Sequence, residues 1–195
     1  TPMRSSAASD VYKRQLHRLS LLALAMSTLG RVKCAVLGSR GLVAQRLLQR
    51  LSNHHWLAPV CVVGSSESEG MKVSEIPWSF RETKPSLPEF RIIGIGQNGE
   101  LASHLISEGV RIVFSALPDS PASYIEEELA KAGLVVISHS TVHRHSEVIP
   151  LVVPGVNNDH LGLIDLQSGF GKGMLVSCPN CMVVPLGISI APLIR

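Results

Sequence analysis

Apolar residues in this chain come in short runs, separated by stretches in which they recur at helical spacing. Val32–Leu37 is apolar apart from Lys33 and is closed by Gly38, the pattern of a buried strand. Leu42, Val43, Leu47, Leu48 and Leu51 then follow at the three-to-four residue spacing of one helix face. Residues 59–63 form a second apolar run, ended by Gly64-Ser65-Ser66. Residues 67–90 are polar and carry Pro77, Pro85 and Pro88, which reads as an irregular excursion. Residues 91–95 suit a third strand, and Leu101, Leu105 and Ile106 a second helix. A strand at 111–116 is closed by Leu117-Pro118-Asp119. A Glu- and Ala-rich helix at 122–132 has Gly133 where a stop is expected, and residues 134–138 read as the next strand. This alternation predicts an α/β fold, a Rossmann-like doubly wound parallel sheet with right-handed crossovers.

Past residue 138 the texture changes. Residues 139–158 have no period and contain Pro150 and Pro154. A short helix is expected at 159–166 and a strand at 173–177. Residues 182–194 are apolar almost throughout, as in a buried helix, with Pro185 in the first turn, where proline is tolerated. The pattern divides the chain into a leader at 1–25, a dinucleotide-binding domain at 31–158 and the start of a second, catalytic domain at 159–195. The leader is polar up to Gln15, then briefly apolar from Leu19 to Met26. It fits either a non-native segment ahead of a start at Met26 or a signal or transit peptide, and is set aside from fold reasoning.

With 195 residues, 45% apolar and 17% charged, the chain has ample material for a packed core and lacks the profile of disorder. The formal charge of +3 is small, basic residues do not cluster and aromatics are 4%, which argues against a nucleic-acid partner. No run reaches the roughly 18 apolar residues that span a bilayer. Cys34 and Cys61 sit in strand-like runs as small hydrophobes, and the four cysteines form no disulfide framework, so a reducing compartment is expected.

Two motifs carry chemistry. In Gly38-x-x-Gly41-x-x-Ala44 the first glycine permits a tight turn. Gly41 lets the backbone approach a pyrophosphate, and Ala44 allows close helix–strand packing. Ser39, Arg40, Leu42 and Val43 belong to the same turn. Ser65 and Ser66, at the end of the second strand, suit a ribose 2′-phosphate, while Glu67 opposes one; NADP and NAD both stay open. Ser115-Ala116-Leu117-Pro118 ends the fourth strand, where ligands of open sheets lie. The second motif is Pro179-Asn180-Cys181, a cysteine placed to begin a helix whose N-terminus favours thiolate. Cys178 and Cys181 also match C-x-x-C, but a zinc ribbon needs a second ligand pair. His139, His143 and His145 read as a solvated polar loop, and Glu126-Glu127-Glu128 as a solvated helix face.

Four segments together resemble the aspartate-semialdehyde dehydrogenase family, nearest its archaeal and fungal branch. They are residues 38–46, Ser115-Ala116-Leu117-Pro118, Pro150-Leu151-Val152-Val153-Pro154-Gly155-Val156-Asn157 and Pro179-Asn180-Cys181. The resemblance covers about residues 31–194. It implies NADP-dependent reduction of β-aspartyl phosphate to aspartate semialdehyde, with release of phosphate, in lysine, methionine and threonine biosynthesis. It makes Cys181 the nucleophile, with Asn180 positioning the acyl group. It places the cofactor on Gly38, Ser39, Arg40, Gly41, Leu42, Val43, Ser65, Ser66, Ser115, Ala116, Leu117 and Pro118. It also implies a cytoplasmic enzyme, organellar if the leader is a transit peptide, and a dimeric or tetrameric parent.

The chain departs from the family at Ser39, Arg40 and Ala44, and at Ser138-His139-Ser140-Thr141 where Ser-Asn-Ala-Ser is common. It departs again at Gly155 and at Met182-Val183. The family's histidine base and substrate arginine belong to a later domain mostly missing here, so the chain alone is expected to be nearly inactive. A malonyl-CoA reductase of the same branch is the enzymatic alternative. A catalytically dead nucleotide-binding module is the other.

Overall fold

The computed structural model describes residues 30–87, 89–96 and 99–194. The expected leader at 1–25 lies outside them. Six strands form one parallel sheet: β1 (Val32–Leu37), β2 (Leu57–Gly64), β3 (Ile93–Gly94), β4 (Ile112–Ser115), β5 (Val135–Ser138) and β6 (Met174–Ser177). Their order is β3-β2-β1-β4-β5-β6. The order reverses between β1 and β4, and that is where a crevice opens at the carboxyl ends of strands. The helices are α1 (Leu42–Ser52), α2 (Glu100–Ser107), α3 (Asp119–Lys131) and α4 (Val183–Ile190).

Both faces of the sheet are covered, which is why its central strands read as continuous apolar runs. On one face Cys34 and Val36 pack with Ala44, Leu48 and Leu51 of α1 and with Val62. On the other, Ala35, Leu37, Val113, Val136 and Leu175 pack with Leu105 of α2 and with Ile125 and Leu129 of α3. Burial pushes the thiol of Cys34 up to about 12 and that of Cys61 up to about 11, as expected of cysteines used as core hydrophobes.

β6 lies beneath the end of α3, an approach that only glycine permits. A Cβ on Gly173 would collide with the carbonyl of Ala130. The outer edge of β6 is occupied by the buried Gln167. Its amide nitrogen donates to the carbonyl of Leu175 at 2.8 Å and its oxygen accepts from Leu175 N–H at 3.0 Å, so this edge offers no free ladder there. The excursion after β2 is tied to α1 by another buried glutamine. Gln45 donates to the carbonyls of Arg40 and Pro77 and accepts from Ser79 N–H.

The sheet takes its sixth strand from Met174–Ser177, past residue 158, the expected end of the dinucleotide domain. Two sequence expectations are corrected. The segment expected as a helix at 159–166 is 3-10 helical, over Asn158–Leu166. The helix after Cys181 forms, but none of its residues is buried: Leu186 is 58% exposed and Ile188 53%. Its apolar composition called for burial, and no element among the described residues covers it. Among the described residues, no helix is long and apolar enough to cross a membrane.

Candidate functional site

The turn between β1 and α1 is tight and leaves the start of α1 open. Gly38 has φ +98°, in the left-handed region, and a Cβ there would press on the Ala116 carbonyl at 3.0 Å. Glycine therefore lets β1 turn sharply against the end of β4. Gly41 is the N-cap of α1, with no side-chain cap and no acidic residue in the first turn. A Cβ on Gly41 would meet nothing within 4 Å, so the space before the helix terminus is open. Uncapped N–H groups with partial positive charge facing open space suit a phosphate. Leu42 and Val43 are exposed beside it, while Ala44 is buried against the sheet.

Arg40 points along the rim toward the end of β2, where its Nη1 donates to Glu67 Oε2 at 2.9 Å. Ser65 and Ser66 are exposed next to Glu67 in the chain. Ser39, by contrast, is buried and shares a 3.0 Å hydrogen bond with the Ser68 hydroxyl. At the end of β4, Ala116 is half-buried and Pro118 is exposed. Ser115 and Leu117 turn the other way, into the core under α3. The side chains of Ser39, Ser115 and Leu117 are therefore buried, whereas Arg40, Leu42, Val43, Ser65, Ser66 and Pro118 are exposed.

At the far side of the edge, β6 leads into Cys178-Pro179-Asn180-Cys181. Cys178 is half-buried, and burial pushes its thiol up. Its N–H donates to the Ser138 carbonyl at 2.7 Å. Cys181 is exposed and precedes α4 by two positions rather than opening it. The Asn180 side-chain oxygen accepts from Met182 N–H at 2.9 Å and lies 3.7 Å from Cys181 Sγ. Asn180 thus shapes the turn that presents the sulfur.

The loop after β5 joins these two regions. His139 is half-buried and, with Leu42, Val43, Leu47 and Phe80, lines an open apolar groove of about 360 Å³. Burial lowers the imidazole's proton affinity, opposed in part by Glu126. Asp119 Oδ2 accepts from the Thr141 hydroxyl and its Oδ1 from Thr141 N–H at 2.9 Å, and these bonds hold its carboxyl below the usual range. Arg144 donates from Nε to the Cys178 carbonyl at 3.1 Å and from Nη2 to the His139 carbonyl at 3.0 Å.

Neither Arg144 nor Asp119 was singled out by sequence reasoning; a lone arginine in an aperiodic loop gives no signal. Two expectations fail outright. His143 is not solvated but 4% exposed, and Glu126 is not on a solvated face but fully buried, 3.0 Å from His143 Nε2. Among the described residues, no three His, Cys, Asp or Glu side chains converge as a metal ion requires.

Comparison with known proteins agrees with this geometry. Residues 33–164 match the family model described as semialdehyde dehydrogenase, NAD binding domain. The chain is 34% identical over 168 residues to the aspartate-semialdehyde dehydrogenase of Archaeoglobus fulgidus, covering 84% of this chain and 46% of that protein. It is 32% identical to the malonyl CoA reductase (NADP) of Metallosphaera sedula, covering 83% of this chain and 44% of the relative. It superposes on the aspartate semialdehyde dehydrogenase of Candida albicans, solved with NADP, with a TM-score of 0.71 and 28% identity over 85% of this chain and 47% of that one. The chain spans about half the length of the curated relatives it matches. The matched model covers the sheet from β1 to β5 and the anion-ready turn that opens it, and on that ground the chain belongs to the semialdehyde dehydrogenase family, through its NAD-binding domain.

Proposed function

We propose that this chain is the cofactor domain and nucleophile turn of an enzyme that reduces β-aspartyl phosphate to aspartate semialdehyde with NADPH. The observation that carries the reading is the exposed Cys181 at the same carboxyl edge as an uncapped, open helix terminus. We place the second domain after Ser177, with α4 as its first helix.

In this reading, the N–H groups at the start of α1 hold the pyrophosphate. Arg40, Ser65 and Ser66 receive the ribose 2′-phosphate. The Arg40–Glu67 pair is an exposed ion pair, worth at most about 1 kcal/mol, so a phosphate displaces Glu67 at little cost. The exposed Leu42 and Val43 and the half-buried His139 give the far end of the cofactor an apolar wall. The bound nicotinamide supplies a hydride.

The Cys181 thiolate attacks the acyl carbon; the carbon–oxygen bond to phosphate breaks, phosphate leaves and a thioester remains on the sulfur. Asn180 holds the turn that orients the sulfur. Once the thioester carbon is reduced, the carbon–sulfur bond breaks, the aldehyde departs and the thiolate returns. A thiolate suits both steps because it is a good nucleophile and a good leaving group. The acid–base group and the substrate's carboxylate clamp are assigned to the part of the protein beyond this chain, so the chain alone is nearly inactive.

The Metallosphaera relative supports a second reading, reduction of malonyl-CoA by the same thioester chemistry. Protein of the relatives' length, assayed by NADPH consumption with β-aspartyl phosphate and with malonyl-CoA, separates the two. Turnover with neither, in protein that binds NADP, would leave a nucleotide-binding module.

A further inference from the structure

The buried Glu126–His143 pair has no part in the chemistry above, yet His143 adjoins Arg144, which bonds to the carbonyl of Cys178. Glu126 lies on the stripe of α3 that also carries Ala122 and Ala130, both fully buried. Glu126 Oε2 and His143 Nε2 approach to 3.0 Å, without the aligned geometry of a hydrogen bond. Neither has a hydrogen-bond partner among the described residues. A carboxylate and an imidazole buried together cost desolvation energy, and separating them costs more, because each is left unpaired in the interior. The contact therefore pins residue 143 to the core.

The next residue in the chain is Arg144, whose guanidinium spans the carbonyls of His139 and Cys178. Cys178 is in turn bonded through its N–H to Ser138. A second tether, from Asp119 to Thr141, holds the same loop at the start of α3. One short loop thus connects the interior of the dinucleotide domain to the turn that carries Cys181. α4 offers no such anchor, since none of its residues is buried.

We infer that Glu126 and His143 are positioning residues. They lock the loop after β5 to α3, and through Arg144 that loop sets the place of the turn bearing Cys181. The inference deepens the proposed function and rests on Cys181 being its nucleophile.

Amide hydrogen exchange on the full chain tests it. In His143→Phe, which keeps the bulk and removes the contact, the Cys178 and Met182 amides exchange about tenfold faster or more, whereas the amides of β1 and α1 keep their rates. His143→Gln places an amide nitrogen near the lost ring nitrogen and restores slow exchange at Cys178 and Met182. If His143→Phe does not fold, Glu126→Met is read in its place, with the same expectation. Faster exchange confined to α3 and residues 139–146, or a uniform rise throughout the chain, overturns the brace.

Iodoacetamide labelling of the unmutated chain is scored separately. An inert Cys181 counts against the catalytic reading and leaves the brace intact. Unchanged exchange at Cys178 in His143→Phe does the reverse.

Discussion

Two strand–turn–helix units belong to this sheet, β1–α1 near its centre and β6–α4 at its edge, and they are built on opposite terms. α1 buries Ala44, Gln45, Leu48 and Leu51 against the sheet, so the turn before it is held from both sides. α4 is the more apolar segment and buries nothing. Its turn is held from the strand side only, by the Cys178–Ser138 bond and by Arg144. The first turn lies between a buried strand and a buried helix face. The second carries the exposed Cys181 and is tied to the loop after β5 through Arg144. Apolar composition thus reports that a segment needs a partner, not that one is at hand.

The largest effect expected is at the nucleophile turn. Cys181→Ser, in protein of the relatives' length, lowers NADPH-dependent reduction of the acyl donor by on the order of 10⁴-fold or more. NADP binding at the other turn is unchanged, as followed by fluorescence titration. A variant that keeps its turnover would show that the two turns do not share one chemistry.

The helices themselves are compared by truncation. Leu48→Ala in α1 removes a core side chain and costs about 2–5 kcal/mol in urea unfolding. Leu186→Ala in α4 changes stability by less than about 0.5 kcal/mol, as exposed sites do. Equal costs would mean that α4 is covered in solution, by further chain or by a second copy.

A smaller effect is expected at the rim of the first turn. Arg40→Ala weakens NADP binding about tenfold, equivalent to about 1.4 kcal/mol, and leaves NAD binding nearly unchanged. Glu67→Gln tightens NADP binding slightly, because it removes the competing carboxylate. Equal losses for the two cofactors in Arg40→Ala would move the 2′-phosphate site elsewhere.

The smallest effect concerns the loop between the units. His139 has a folded-state proton affinity below its ordinary value, chiefly through burial. Above about pH 6.5 the imidazole is neutral in both states and adds no pH dependence. As pH falls below that point the unfolded chain takes up the proton first, so stability declines until the folded group protonates as well. His139→Gln should flatten that part of the profile of Tm against pH. An unchanged slope would assign the decline to other groups.

Much of this architecture is legible in the chain itself. The six strands, the glycine turn and the stop at Gly133 follow from local rules: apolar runs, helical spacing, and residues that tolerate particular backbone angles. The cysteine turn was legible too, since Pro179-Asn180-Cys181 follows a strand and precedes an apolar helix. What escaped are the long-range pairings. Glu126 sits in a run of three glutamates and His143 among three histidines, and neither pattern distinguishes the buried member from its more exposed neighbours. Arg144 bridges two carbonyls that the chain separates widely.

By itself, then, the sequence determined the elements and their alternation, because each depends on neighbours a few positions away. Only the tertiary structure decided which side chains are buried, that Glu126 meets His143 in the interior, and that α4 stands uncovered among the described residues. Those outcomes depend on which strands lie side by side and on what packs over them, and no local pattern encodes either.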